Sequence, residues 1–493
     1  MLKRFFKKAF SVVMAAVMTL GLVGCGKKEV ASNTTSDKPE SPTPTEVPEK
    51  QVDEVFDDEE IEKYTVLKDS EGNVYDLGGM EIIIRDWWST GEEAEPTNAY
   101  EEARQEWLDW IQKTYNFTIK QLGMSDYDSA PEDYVNYVTT GGDEKNYIFI
   151  LPQGSSLVAA INSGLMYDLS TLDCLDFSEE KWASGVHKLL SDKNGGIYGM
   201  NANTPEPRIG VYFNKRLIRD AGYNPDDLYT WQENYTWTWD KFAEVSDAVQ
   251  RDIDNDGVID IYGETSQRAQ IYSAAVYSNG GEFVGKNEDG LYVNKLETNE
   301  TLDALNWAMD YILKYELPVP ADAAWDYYVS AFKEGKAAFC VDDGYRFNDF
   351  ASMEDDWGFV CFPMGPNMKD YTNVYTDNVV VIPSCYDADR AWKLAFAYNL
   401  FTDPIVGFED YEGWKSGYLA KSRDTESVDL TLARMVKNGK VTYHNMIPNL
   451  QLGEDLLWTM GFADENGVIE TPAQRAERLR ATWNSYIDAA NNK

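Results

Sequence analysis

The chain has 493 residues, a formal net charge of -40 and a pI near 4.3. That length suffices for two or three domains with full cores, and 13% aromatic residues indicate a globular body. The charge excludes nucleic acid as an expected partner, because phosphates need a basic surface, and it disfavours highly anionic polymers.

Residues 1–25 read as a targeting segment. Lys3, Arg4, Lys7 and Lys8 precede an uncharged, mainly apolar run ending Leu22-Val23-Gly24-Cys25. That ending resembles the bacterial lipobox, which implies acylation at Cys25 and a mature chain anchored to the membrane by lipid. The run is short for spanning a bilayer of about 30 Å. From Gly26 to Glu62 the composition is Ser, Thr, Pro and acid, which cannot bury enough apolar surface to offset its ordering entropy. A disordered tether over 26–62 is expected.

The folded part opens with a buried-strand run at Met80–Arg85, followed by Asp86-Trp87-Trp88 in a polar loop. Ala99 to Tyr115 places Tyr100, Ala103, Trp107, Trp110 and Ile111 at helical spacing. Strands are expected at Phe117–Gln121 and Tyr147–Leu151, and a helix at Ser156–Ser163. This alternation predicts an α/β layer with functional loops at strand carboxyl ends. A short helix over Leu217–Ala221 stops at Gly222. Further strands are expected at Trp357–Val360 and Asn378–Ile382, and helices at Leu302–Tyr315 and Ala388–Leu400. The C-terminal third reads as largely helical. Cys174, Cys340, Cys361 and Cys385 show no metal or CxxC spacing, so buried free thiols are expected.

Thr238 caps an amphipathic helix carrying Phe242, Val245, Ala248 and Val249. Its end runs into Asp252-x-Asp254-x-Asp256-Gly257-Val258-x-Asp260. Alternate carboxylates with glycine at the sharp turn form the first half of an EF-hand-type calcium loop, whose ligands would be Asp252, Asp254, Asp256, Val258 and Asp260. Position twelve, a glutamate in such loops, is Gly263. The stretch is either a calcium site closed by another ligand or an acidic turn without metal.

In order, the lipobox, Gly195–Gly199, Tyr212-Phe213-Asn214-Lys215, Trp239-Asp240-Lys241-Phe242, the acidic loop, Asn279-Gly280-Gly281, Phe332–Ala338 and Ile447-Pro448-Asn449 resemble the bacterial extracellular solute-binding proteins of family 1, receptors of carbohydrate ABC importers. The resemblance implies a type II periplasmic-binding-protein-like α/β fold, with two hinge-linked lobes around a ligand cleft. It divides the chain into a first lobe over 63–204 and a second over 205–344. A return to the first lobe over 345–400 and a helical second-lobe part over 401–493 complete the division. Some members carry calcium in a loop like Asp252–Asp260, away from the sugar.

A lipid-anchored, monomeric receptor on the extracellular face is thus expected, with a carbohydrate ligand, permease partners and no catalytic activity. Sugars need flat apolar faces and planar polar groups, and 15 tryptophans and 31 tyrosines supply the former. Trp87 and Trp88 beside Asp86, and Gln153 at a strand end, are candidates by position. Asp343 and Tyr345 match the segment where the family places a ring near the hinge; Trp458 follows Ile447-Pro448-Asn449, and Trp414 lies in the helical region. Trp325 and Arg208 either line the cleft or cap surface structure. The competing readings are a calcium-dependent carbohydrate-active enzyme and a surface adhesin. His187 and His444, the only histidines, sit in no nucleophile or metal motif, and GxSxG, HExxH and Walker patterns are absent.

Overall fold

The first strand and helix form where pattern and caps agree. A computed structural model describes residues 63–91, 95–182, 185–202, 207–375, 378–408 and 412–492; the leader, Cys25 and the tether lie outside them. Strand β1 (Met80–Asp86) leads to helix α1 (Ala99–Tyr115), whose N-cap Asn98 accepts from the Glu101 backbone amide at 3.0 Å. Asn116 ends it in the left-handed region at φ 53°. Strand β2 (Phe117–Gly123), helix α2 (Ala130–Thr139), strand β3 (Asn146–Pro152) and helix α3 (Ser155–Asn162) follow. β1 pairs parallel with both β2 and β3. In β3 the alternation of side chains feeds two cores: Ile148 and Ile150 join one, Tyr147, Phe149 and Leu151 the other.

Strand β4 (Pro207–Arg208) carries the chain into a second lobe. There β5 (Gly210–Asn214), α4 (Trp239–Val249), β6 (Tyr262–Glu264), α5 (Arg268–Ser278), α6 (Asn299–Tyr315), β7 (Ala337–Asp342) and β8 (Trp357–Cys361) build a sheet ordered β8-β5-β7-β6 and its helical cover. Thr238 accepts from Lys241 N at 3.4 Å, as its capping position requires, and Trp239, Phe242, Val245 and Val249 are buried in the core of this lobe. Strand β9 (Asn373–Tyr375) crosses back, and β10 (Asn378–Val381) completes the first sheet antiparallel to β3, giving the order β10-β3-β1-β2. Helix α7 (Ala388–Phe401) covers it. The remaining chain, with α8 (Trp414–Leu419), a looser helical stretch at 427–432 and the final α9 (Pro472–Asn491), packs on the second lobe. Strand β11 (Gly439–Val441) pairs parallel with β9, which pairs antiparallel with β4. The three crossings therefore share one small sheet, and Val66–Lys493 forms a single compact unit.

One boundary differs from expectation. Residues 345–372 stay with the second lobe: β8 pairs with β5 from Trp357↔Asn214 to Cys361↔Gly210, and Phe347, Phe350 and Trp357 lie in the second lobe's core. The return to the first lobe begins after β9, not at 345. Both sheets need the same kind of buried apolar strand, so the run WGFVC does not reveal in the sequence which sheet it completes. All four described thiols are free; Cys340 and Cys361 are buried, and Cys174 and Cys385 partly so. Among the described residues no helix is long and apolar enough to cross a membrane.

Candidate functional site

A cleft of about 630 Å³ lies where strand ends of the first lobe face the start of α5 and the segment 450–458 of the second. Its first wall comes from the loop after β2, which supplies Tyr127 and Asp128, and from the β3–α3 junction, which supplies Gln153, Ser155 and Ser156. The Gln153 side chain is only 7% exposed, and its Nε2 has no protein hydrogen-bond partner. A buried amide donor without a partner costs roughly 1–3 kcal/mol, so it marks a place where another acceptor would be favourable. Tyr127 is 56% exposed and meets Trp87 edge to face at 5.4 Å; Trp87 meets the half-exposed Trp88 in the same way at 4.8 Å. The three rings form one aromatic step beside the cleft.

The opposite wall holds Gln267, Gln270 and Ser273 from α5 and its cap, with Gln451, Glu454 and Trp458 from the C-terminal part. Trp458 is 56% exposed. Its indole rests on Gly453: a Cβ there would stand 2.6 Å from Trp458 Cε2, so only glycine lets the ring lie against the turn. His444 also lines the cleft, with Nδ1 3.4 Å from the Tyr277 hydroxyl. Burial pushes its pKa down to about 4, so the imidazole is neutral at physiological pH.

The candidates from the sequence separate into distinct groups. Gln153 and Trp458 line the cleft. Asp86 does not. It is 2% exposed, and its carboxylate accepts from Trp88 N at 3.1 Å, Ser89 N at 3.0 Å, Ser89 Oγ at 2.5 Å and Gln121 Nε2 at 2.7 Å. Its acceptor capacity is used in holding the Trp87–Trp88 loop. Arg208 and Asp343 pair with each other at 3.1 Å beside the crossing strands, and Asp343 also accepts from Ile209 N at 3.2 Å. The neighbouring Asp342 binds Arg346 at 2.9 Å; burial first, and then the Asp343 charge, push its pKa up to about 6.

Tyr345 and Trp414 line a separate cavity of about 210 Å³ with Phe347, Tyr418 and Lys421. Trp325 is 76% exposed on the turn before the helix Tyr327–Lys333 and lines neither cavity. Tyr127, Gln270, His444 and Gln451 were not singled out. Tyr127 and Gln270 follow the strands β2 and β6, so the rule that functional loops sit at strand carboxyl ends could have found them.

In the acidic loop, ligand oxygens of Asp252, Asp254 and Asp260 lie within 4.8 Å of one another. Asp256 stands outside that group and accepts from Val258 N at 2.8 Å. Gly257 at φ 92° makes the turn. At the twelfth position there is little room for a side chain: a Cβ on Gly263 would stand 3.0 Å from Tyr315 Cβ and 3.1 Å from Ser246 Cβ. The three converging carboxylates are a donor set that suits a hard dication.

Solved structures share this architecture. UgpB from Mycobacterium tuberculosis, in complex with glycerophosphocholine, superposes with a TM-score of 0.55 at 16% identity, over 79% of this chain and 95% of its own. An ABC substrate-binding protein from Listeria monocytogenes in complex with cycloalternan gives 0.55 at 15% identity, over 84% and 98%. Maltose-bound MalE3 of T. maritima gives 0.53 at 16%, over 82% and 100%. At such identities the likeness establishes the two-lobed fold. The family described as bacterial extracellular solute-binding protein matches residues 130–396, more than half of the chain, and the protein belongs to that family.

Proposed function

We propose that the protein is a lipid-anchored extracellular receptor that captures a carbohydrate in the cleft between its lobes and delivers it to an ABC importer. The observation that carries the reading is the cleft itself. Exposed rings stand on opposite walls, Tyr127 and Trp458, and the unpartnered Gln153 amide stands on the same wall as Tyr127. Rings stack on the C–H faces of a sugar while amides meet its hydroxyls. The sheet of three crossings is the natural pivot: closing the lobes about it buries the ligand and creates the form a permease can distinguish from the empty one. Anchoring rests on the lipobox-like ending at Cys25.

Titrating the protein with oligosaccharides while following tryptophan emission tests this reading. Saturable change, with the sugar recovered unchanged, is the expected result. Accumulation of shorter sugars would make the protein an enzyme, and a flat response to every soluble glycan would remove the receptor.

Asp252, Asp254 and Asp260, aided by Asp256 and the Val258 backbone, form a structural calcium site in this reading. It would tie the end of α4 to the start of β6 and act as a brace in the second lobe. An ion held only by the folded state stabilises it, so EDTA should lower the melting temperature by several degrees and calcium should restore it. Identical melting curves, with no calcium in elemental analysis, would show a metal-free turn.

A further inference from the structure

The charge of the cleft bears on which sugars it can take. Asp128 stands on the first wall and Glu454 on the second, and among the described residues no lysine or arginine lines the space. Neither carboxylate makes an ion pair with a described residue. Two nearby guanidinium groups are each in an ion pair: Arg268, just before the lining residue Ala269, binds Glu316 through two bonds of 2.8 and 2.5 Å, and Arg208 binds Asp343 at 3.1 Å. His444 is neutral, as burial dictates. A positive feature on the lining itself is the start of α3 at Gly154–Ser156, which no side chain caps. A helix terminus carries roughly half a charge, against two full negative charges among the lining residues.

We infer that the cleft discriminates by charge, taking an uncharged oligosaccharide and rejecting the counterpart that carries a uronic acid or phosphate. The inference rests on the receptor reading above. An anionic group entering the cleft would lose its hydration and meet Asp128 or Glu454 in place of a cation, which is the costly way to bury a charge. An uncharged sugar loses nothing comparable. Its hydroxyls can accept from Gln153 Nε2 and donate to the same two carboxylates, forming charge-assisted hydrogen bonds. The -40 charge of the whole chain acts in the same direction at long range, slowing the encounter with anions at low ionic strength.

The test is calorimetric titration of the full protein at low ionic strength with neutral gluco-, xylo-, manno- and galacto-oligosaccharides, each beside a member of equal length bearing one uronate. The neutral member of the pair that binds should do so at least roughly tenfold more tightly. Glu454→Gln and Asp128→Asn, both at exposed positions, should each narrow that gap by weakening the rejection of the uronate. A uronate that binds as tightly as its neutral counterpart would overturn the charge selection while leaving the receptor intact. Failure of every sugar, charged or neutral, would overturn the receptor reading and this inference with it.

Discussion

Asp86 and Gln153 stand at the carboxyl ends of neighbouring parallel strands, β1 and β3, and both are buried. Four donors surround the Asp86 carboxylate, while the Gln153 amide nitrogen has none of the partners it could use. Two polar side chains with the same place in the fold thus do opposite things. A buried polar group satisfied by its own loop is part of the scaffold, and one left unsatisfied at a cleft is available for binding. Asp86 acts on the site only by holding the Trp87–Trp88 loop that supports Tyr127.

The largest expected effect tests the scaffold side. Asp86→Ala removes the acceptor of four hydrogen bonds and should cost about 3 kcal/mol in urea unfolding. A variant as stable as the parent would break the contrast. Next comes a buried carboxyl that does not line the cleft. Glu264 is fully buried near the Glu316 carboxylate, and burial first, then that charge, raise its pKa well above the ordinary range. Its folded-state pKa is raised, so stability is greatest below the unfolded value near 4.5 and falls as pH rises towards the folded one. Glu264→Gln should therefore gain stability relative to the parent as pH rises from 5 to 8, measured by unfolding at both. A difference independent of pH would show that the carboxyl is not held protonated.

Gln153→Ala addresses the binding side. Since the amide nitrogen has no partner to lose, folding stability should change by under about 0.5 kcal/mol, while affinity for the bound sugar falls roughly tenfold. Loss of stability without loss of affinity would make Gln153 another scaffold residue. The smallest effect is expected from Trp325→Ala. At 76% exposure and outside both cavities, its removal should leave sugar affinity unchanged in the same fluorescence titration.

Much of the fold was legible because it depends on local rules. Helix α1 was expected over the residues it occupies, since Trp107, Trp110 and Ile111 recur at helical spacing; the structure adds that Asn98 and Asn116 cap its ends. Strands β1, β2 and β3 were legible from their apolar runs. The crossing strands were not. β4 has two residues and β9 and β11 three each, too short for any periodicity. The same limit hid the true point of return, because β8 looks like a strand of either sheet. Of the residues that line the cleft, position singled out Gln153 and the family resemblance Trp458, but position could not distinguish Gln153 from Asp86, and composition could not tell that Trp325 faces solvent.

What the sequence determined by itself is the series of local commitments: caps, periodicities, the glycines at 257 and 453, and the spacing of carboxylates from Asp252 to Asp260. Each depends on residues within a turn or two of one another, where backbone geometry alone decides. Only the tertiary structure decided which polar groups are spent and which remain. The donors that satisfy Asp86 include Gln121 on another strand, and the side chains that crowd position 263 are Tyr315 on α6 and Ser246 on α4. Hydrogen-bond satisfaction and close packing are properties of neighbours in space, and the walls of the cleft come from segments as far apart as Tyr127 and Trp458.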